Sequence, residues 1–207
     1  MIKTLLVILA VGFVGWLANG VRLIGAVSLG ERIPVRPKEA VLLIDLQTVF
    51  WEQGPYSEAD KALALATIVE EVNRAKAAGV PVIAMRQEWS IPSTKVIAKL
   101  TMGGQAIAGS KGTEIATPFA DLPDFVLTKR VQDSFETGDL DALLAELDVG
   151  RLTITGLDAR YCVAKSIQAA KNRGYQVDVV QNAVLSADHA SGVGALEALV
   201  GEGTILR

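Results

Sequence analysis

Three side chains in this sequence have the types needed to break an amide-type bond together: Asp45, Lys129 and Cys162. Cys162 is the only cysteine, so it forms no intrachain disulfide. A thiol attacks as its thiolate, and a helix N-terminus or a nearby cation lowers its pKa. Cys162 is predicted in the first turn of a helix with Lys129 as the cation, so a depressed thiol is expected. Asp45 could accept the thiol proton and later pass it to a leaving amine. Lys129 would hold Asp45 ionised and orient it. Backbone N–H groups around residues 158–162 would be placed to stabilise an oxyanion. Each of the three has an ordinary alternative, as a turn residue, a solvated charge or a small buried hydrophobe. Their convergence on one edge of a sheet is what favours chemistry.

The elements that must position them alternate between strand and helix. Residues 40–44 are a continuous apolar run, the pattern of a strand buried on both faces, and Asp45 follows directly. Residues 125–128 read as a strand that ends at Lys129. Residues 152–155 read as a strand, followed after a short turn by a helix over 161–173 that carries Cys162 and is capped by Gly174. Other strands are expected at 80–85, 175–180 and 204–206, with helices at 59–78, 139–147 and 189–200. In the first of these helices Leu65, Ile68, Val69, Val72 and Ala75 form one apolar stripe, Glu70 can pair with Arg74, and Gly79 ends it. The alternation predicts an α/β fold: a three-layer, doubly wound parallel sheet with helices on both faces. Ligands of such sheets bind beyond the carboxyl ends of the strands, where Asp45, Lys129 and Cys162 all fall. Residues 86–121 show little periodicity, which marks a functional loop or short hidden elements.

The stretch AVLLIDLQTVF, then TKRVQDSF with TGDLDALL, then LTITGLDARYCVAKSIQAAKNRGYQVDVVQNAV resemble the successive signatures of the isochorismatase-like cysteine hydrolases. The resemblance runs from about residue 40 to the C-terminus. It implies an Asp–Lys–Cys triad, matched by Asp45, Lys129 and Cys162, and a non-prolyl cis peptide at Leu157–Asp158. It also implies an oxyanion hole made by the N–H groups of Asp158 and Cys162, and hydrolysis of a C–N bond of a small molecule through a thioester. The sequence departs from the nicotinamidase-like members, which carry a histidine-rich metal site near the second strand. Here that region reads Arg86, Gln87, Glu88, Trp89, so nicotinamide is disfavoured and no metal or other cofactor is expected. Members that cleave a vinyl ether lack the nucleophilic cysteine, so Cys162 argues against that reaction. The family resemblance and the apolar composition suggest a homo-oligomer.

Phe50, Trp51, Trp89, Phe135 and Tyr161 flank the proposed catalytic segments and could line an apolar substrate pocket. Gln47, two residues beyond Asp45, could hydrogen-bond in the site. His189, the only histidine, reads as a surface residue at a helix start. With one histidine and one cysteine, a zinc site of several such ligands is excluded by count. The segment GQAIAGSK at 104–111 departs from the phosphate-loop pattern, because Ser110 separates glycine from lysine and no strand precedes it.

The chain has 207 residues and a formal net charge of -3, with acidic and basic residues mixed, so nothing points to nucleic acid. Residues 4–18 are almost purely apolar, and a weaker apolar stretch runs to 29. A bilayer span needs about 20 apolar residues. Residues 1–29 are therefore expected to anchor the chain in a membrane, with a cleaved signal as the alternative and a buried helix as the third possibility. Lys3 lies on one side, and Arg22, Arg32, Arg36 and Lys38 lie on the other, which favours a cytoplasmic body. Residues 30–38 read as a linker and 39–207 as the hydrolase domain. A non-catalytic binding or scaffold domain of the same fold, or a thiol redox sensor using Cys162, are the competing functions.

Overall fold

Six strands form one all-parallel sheet in the computed structural model, which describes residues 2–201 and 203–207. They are β1 (Lys38–Ile44), β2 (Val82–Gln87), β3 (Phe125–Lys129), β4 (Val149–Leu157), β5 (Gln176–Leu185) and β6 (Thr204–Leu206), in the order β3-β2-β1-β4-β5-β6. The order reverses between β1 and β4, so the crevice at this switch point opens beyond their carboxyl ends. Asp45 leaves the end of β1 and Cys162 follows the end of β4, so both stand at that point.

The continuous apolar run of β1 is explained by its place in the middle of the sheet. Ala40, Leu42 and Ile44 face one hydrophobic cluster, while Val41 and Leu43 face another. The first cluster is closed by α5 (Asp139–Glu146), α6 (Ala164–Arg173) and α7 (His189–Glu197), through Leu140, Leu144, Ile167 and Leu196. The second is closed by α3 (Glu58–Ala77), through Ala64, Ile68, Val72 and Ala75. Each fully buried aliphatic side chain contributes about 1.5–3 kcal/mol against leaving it exposed. α3 has the expected Glu70–Arg74 pair at 3.5 Å and a side-chain cap from Ser57, and Gly79 takes the left-handed φ of 70° just beyond its end.

A third cluster lies off the sheet. α1 (Ile2–Gly25) is one unbroken helix whose last turns dock on α4 (Pro92–Thr101), a helix inside the stretch that shows little periodicity in the sequence. α4 was hidden because its buried positions are Ser93, Thr94, Ile97 and Ala98, which make no strong apolar stripe. Gly20 permits the approach of α1: a Cβ there would meet Ile97 Cδ1 at 2.6 Å and Ser93 Cβ at 2.8 Å.

Residues 30–37 are irregular, but they are tied down. Ile33 N–H donates to Arg173 O at 2.8 Å, and Arg173 also reaches back to Ser28 O at 3.2 Å. The stretch therefore lies along the domain rather than spacing it from α1.

Candidate active site

The carboxyl ends of β1, β2, β3 and β4 bring the predicted triad together. Asp45 sits in the left-handed region at φ 55°, held by its N–H to Met85 O at 2.9 Å and by Gln47 N–H to its own carbonyl at 2.7 Å. That turn swings its side chain into the crevice. Lys129 ends β3, and its Nζ reaches three acceptors: Asp45 Oδ2 at 3.0 Å, Gln87 Oε1 at 2.6 Å and Val131 O at 3.3 Å. Asp45 is 1% exposed and Lys129 fully buried. Gln87 ends β2 directly opposite Lys129 in the register, so one strand pairing sets both.

Cys162 lies in a π-helical turn (Ala159–Val163) that precedes α6, close enough to Asp45 and Lys129 for both charges to act on its thiol. The other oxygen of Asp45, Oδ1, is buried without a conventional hydrogen-bond partner among the described residues. The peptide bond Leu157–Asp158 is cis, where the family resemblance places it. The Asp158 carboxylate ties this turn to the β5–α7 loop: it accepts from Arg160 N–H at 2.9 Å and from Ala187 N–H at 2.8 Å.

The electrostatics differ from the sequence expectation at the thiol. Burial first, and then the charge of Asp45, push Cys162 well above its ordinary value, and Lys129 offsets only part of this. The cation does not outweigh the loss of water, so the thiol is held above its ordinary value rather than below it. Burial also raises Asp45, against the pull of Lys129 and of the thiol. For Lys129, burial alone would lower the ammonium, but Asp45 and Cys162 together outweigh it and the net shift is upward.

Asp45 and Cys162 line the floor of an open cavity of about 390 Å³, and Lys129 lies buried behind them. Of the residues predicted to bind substrate, Phe50, Trp89 and Tyr161 line it, and Gln47, Trp51 and Phe135 do not. Trp51 is turned into the core by the short helix α2 (Thr48–Trp51), where it meets Phe119 edge-on at 4.7 Å. Phe135 is packed under α6, 4.6 Å from the Arg173 guanidinium. Gln47 instead fastens backbone: its side chain bonds Gln87 N–H, Gln87 O and Thr113 O at 2.6, 3.1 and 2.8 Å. His189 is exposed at the start of α7, outside the cavity.

Sequence reasoning missed Tyr56, Gln87, Gln105 and Gln132, which also line the cavity. Gln87 ends β2, two residues beyond the strand that the sequence pattern reads, so the rule that found Asp45 and Lys129 did not reach it. Tyr56 stands next to Asp158, and burial, Asp158, Cys162 and Asp45 push its phenol upward. The indole N–H of Trp89 is buried without a partner among the described residues.

A model of the isochorismatase domain matches residues 39–206, and the chain belongs to that family of hydrolases. Solved structures agree. The pyrazinamidase of Pyrococcus horikoshii in complex with zinc is 25% identical, covering 83% of this chain and 99% of that one at a TM-score of 0.68. The pyrazinamidase/nicotinamidase from Streptococcus mutans is 25% identical, covering 81% and 100% at a TM-score of 0.65. The N-carbamoylsarcosine amidase from Thermoplasma acidophilum shares the fold at 20% identity, covering 83% and 96% at a TM-score of 0.70. The donor set here does not fit a zinc ion as in the first of these. Among the described residues, no three or more His, Cys, Asp or Glu side chains cluster to hold a metal. Beyond Asp45, Asp158 and Cys162, the cavity's polar lining includes Gln87, Gln105 and Gln132, and Arg86 neutralises Glu88 at 2.8 Å.

Proposed function

We propose that this protein is a cysteine hydrolase that cleaves the C–N bond of a small amide through a thioester on Cys162. One observation carries the reading. A buried Asp45–Lys129 pair, with one carboxylate oxygen unpartnered, sits beside the only thiol of the chain on the floor of a largely apolar cavity.

The groups divide the work as follows. With the substrate carbonyl over Cys162, Asp45 takes the thiol proton as sulfur attacks carbon. The N–H groups of Asp158 and Cys162 donate to the developing oxyanion. The C–N bond then breaks, and Asp45 hands its proton to the departing nitrogen. Asp45 next takes a proton from water as that water attacks the thioester. The C–S bond breaks, the acid leaves, and sulfur regains the proton. Lys129 stays protonated throughout and keeps Asp45 ionised between steps. A thiol held above its ordinary value suits this cycle, because it gives up its proton to Asp45 as it attacks a bound substrate. The same property weighs against a redox sensor, which needs an accessible thiolate.

The test is ammonia or amine release by the full-length protein from a panel of small amides and N-carbamoyl compounds. Cys162→Ala is expected to abolish release while the fold is retained. Hydrolysis that survives in Cys162→Ala would refute the proposal.

The anchoring of residues 1–29 is part of the same reading. Consecutive apolar residues Leu5 to Leu9 are each more than half exposed, so the free part of α1 is apolar on all faces rather than along one stripe. That pattern belongs to a helix surrounded by lipid. The excess of Arg and Lys after α1 favours a cytoplasmic body.

A further inference from the structure

We infer that the cavity takes its amide from the membrane surface, as an amphipathic molecule whose apolar tail stays in the bilayer. The inference rests on the hydrolase and anchor readings above and names the substrate class they leave open.

Its first support is a shared wall. Ile24 of α1 belongs to one apolar cluster with Trp89, Ile97 and Ala98, and Leu17, Phe50 and Met102 pack against it. Phe50, Trp89 and Met102 also line the cavity. Gln132, another lining residue, donates its backbone N–H to Ile24 O at 3.2 Å. The end of the apolar helix is thus built into the wall of the site.

Length gives the second support. The uncharged stretch between Lys3 and Arg22 measures about 27 Å at 1.5 Å per residue, against a hydrocarbon core of about 30 Å. None of it can be spared as a spacer. Yet Leu17 and Gly20, inside that stretch, already touch the third cluster and α4. For α1 to span, α4 must lie flush with the lipid headgroups.

The third support is the surface that such a placement would put there. On α4, Leu100 is 72% exposed and immediately precedes the lining residues Thr101 and Met102. Lys99 beside it is exposed, and Arg22 is exposed on α1. An apolar lip flanked by cations fits an interface with anionic headgroups. A tail lying over Leu100 would continue into hydrocarbon while the amide reaches Cys162.

Alkylation of the single cysteine tests this without a known substrate. Full-length protein in phosphatidylcholine–phosphatidylglycerol vesicles is treated with N-ethyl or N-dodecyl iodoacetamide, two amides that differ only in their tails. The dodecyl reagent is expected to label Cys162 at least tenfold faster, to slow as protein-free vesicles dilute it, and to lose much of its advantage in Leu100→Glu. Equal rates on vesicle-bound protein would overturn the inference and leave the cysteine-hydrolase reading standing. Protein that does not float with the vesicles would overturn the anchor and this inference together. A thiol silent to both reagents until unfolding would overturn the inference, because the cavity would then admit no tailed amide to Cys162.

Discussion

At the residue scale the account turns on the sign of each contribution to the Cys162 thiol. Burial raises it, Asp45 raises it further and Lys129 lowers it. Replacing Asp45 with Asn therefore removes a raising charge and leaves Lys129 unopposed. Asp45→Asn is expected to alkylate with iodoacetamide at pH 7 at least several-fold faster than wild type, while its turnover falls by roughly 100-fold or more. Lys129→Met is expected to alkylate more slowly and to lose about 3 kcal/mol of stability in urea unfolding, because a buried pair has lost one partner. The pH profile follows from the same shifts. Asp45 must be ionised to accept the proton, and burial raises it, so kcat/KM is expected to fall on the acid side above the usual carboxylate range. Lys129 lies above its ordinary 10.5, so no alkaline loss below that value is expected from it. Its pairing stabilises the fold fully below that pH and fades only as pH rises through the higher folded value.

The meeting of Asp45, Lys129 and Cys162 was legible because each ends or follows an apolar run, and chain ends of parallel strands meet by topology. Gln87 escaped because the second strand reads from the sequence as 80–85, whereas β2 extends to Gln87 itself. Tyr56 and Trp51 show the opposite limit. Both belong to one polar turn, and which aromatic faces the cavity is set by the single turn of α2, which the sequence pattern does not reveal.

At the element scale the site depends on how closely β1 and β4 approach. Gly156 pairs with Ile44 at φ 116°, and a Cβ there would collide with the Ile44 backbone just before Asp45. Gly156→Ala is expected to destabilise by about 3 kcal/mol, the upper end for an overpacked core, read as a lower urea midpoint. Activity would fall with it, because the turn at Asp45 moves. The parallel sheet and most strands could be read from alternating periods, though the order of the strands could not. α4 could not, since small and hydroxylated residues make its buried face and Pro92 gives only its start.

Across the whole molecule, α1 and the segment after it pack and hydrogen-bond against the domain. Asp133 accepts from Ser28 N–H and Ser28 Oγ at 2.7 and 2.6 Å, and the loop it holds leads to Gln132 of the cavity. A chain starting at residue 33 loses these bonds together with the Ile24 contact. It is expected to melt at least about 4 °C below the full chain in detergent, consistent with the loss of roughly 1 kcal/mol or more. Equal melting temperatures would show that α1 is a detachable tether. The apolar run at the N-terminus was plain in the sequence. That its last turns wall the site was not, because Leu17, Gly20 and Ile24 are ordinary membrane-helix residues until α4 is placed against them.

The central claim, that Cys162 carries the acyl group during hydrolysis, is tested most directly by peptide mass spectrometry. Full-length protein turning over an amide from the panel is quenched in acid and digested. The account predicts added mass equal to the acyl group on the peptide holding Cys162, absent in Cys162→Ala. Steady turnover with no adduct, undiminished in Cys162→Ala, would contradict it.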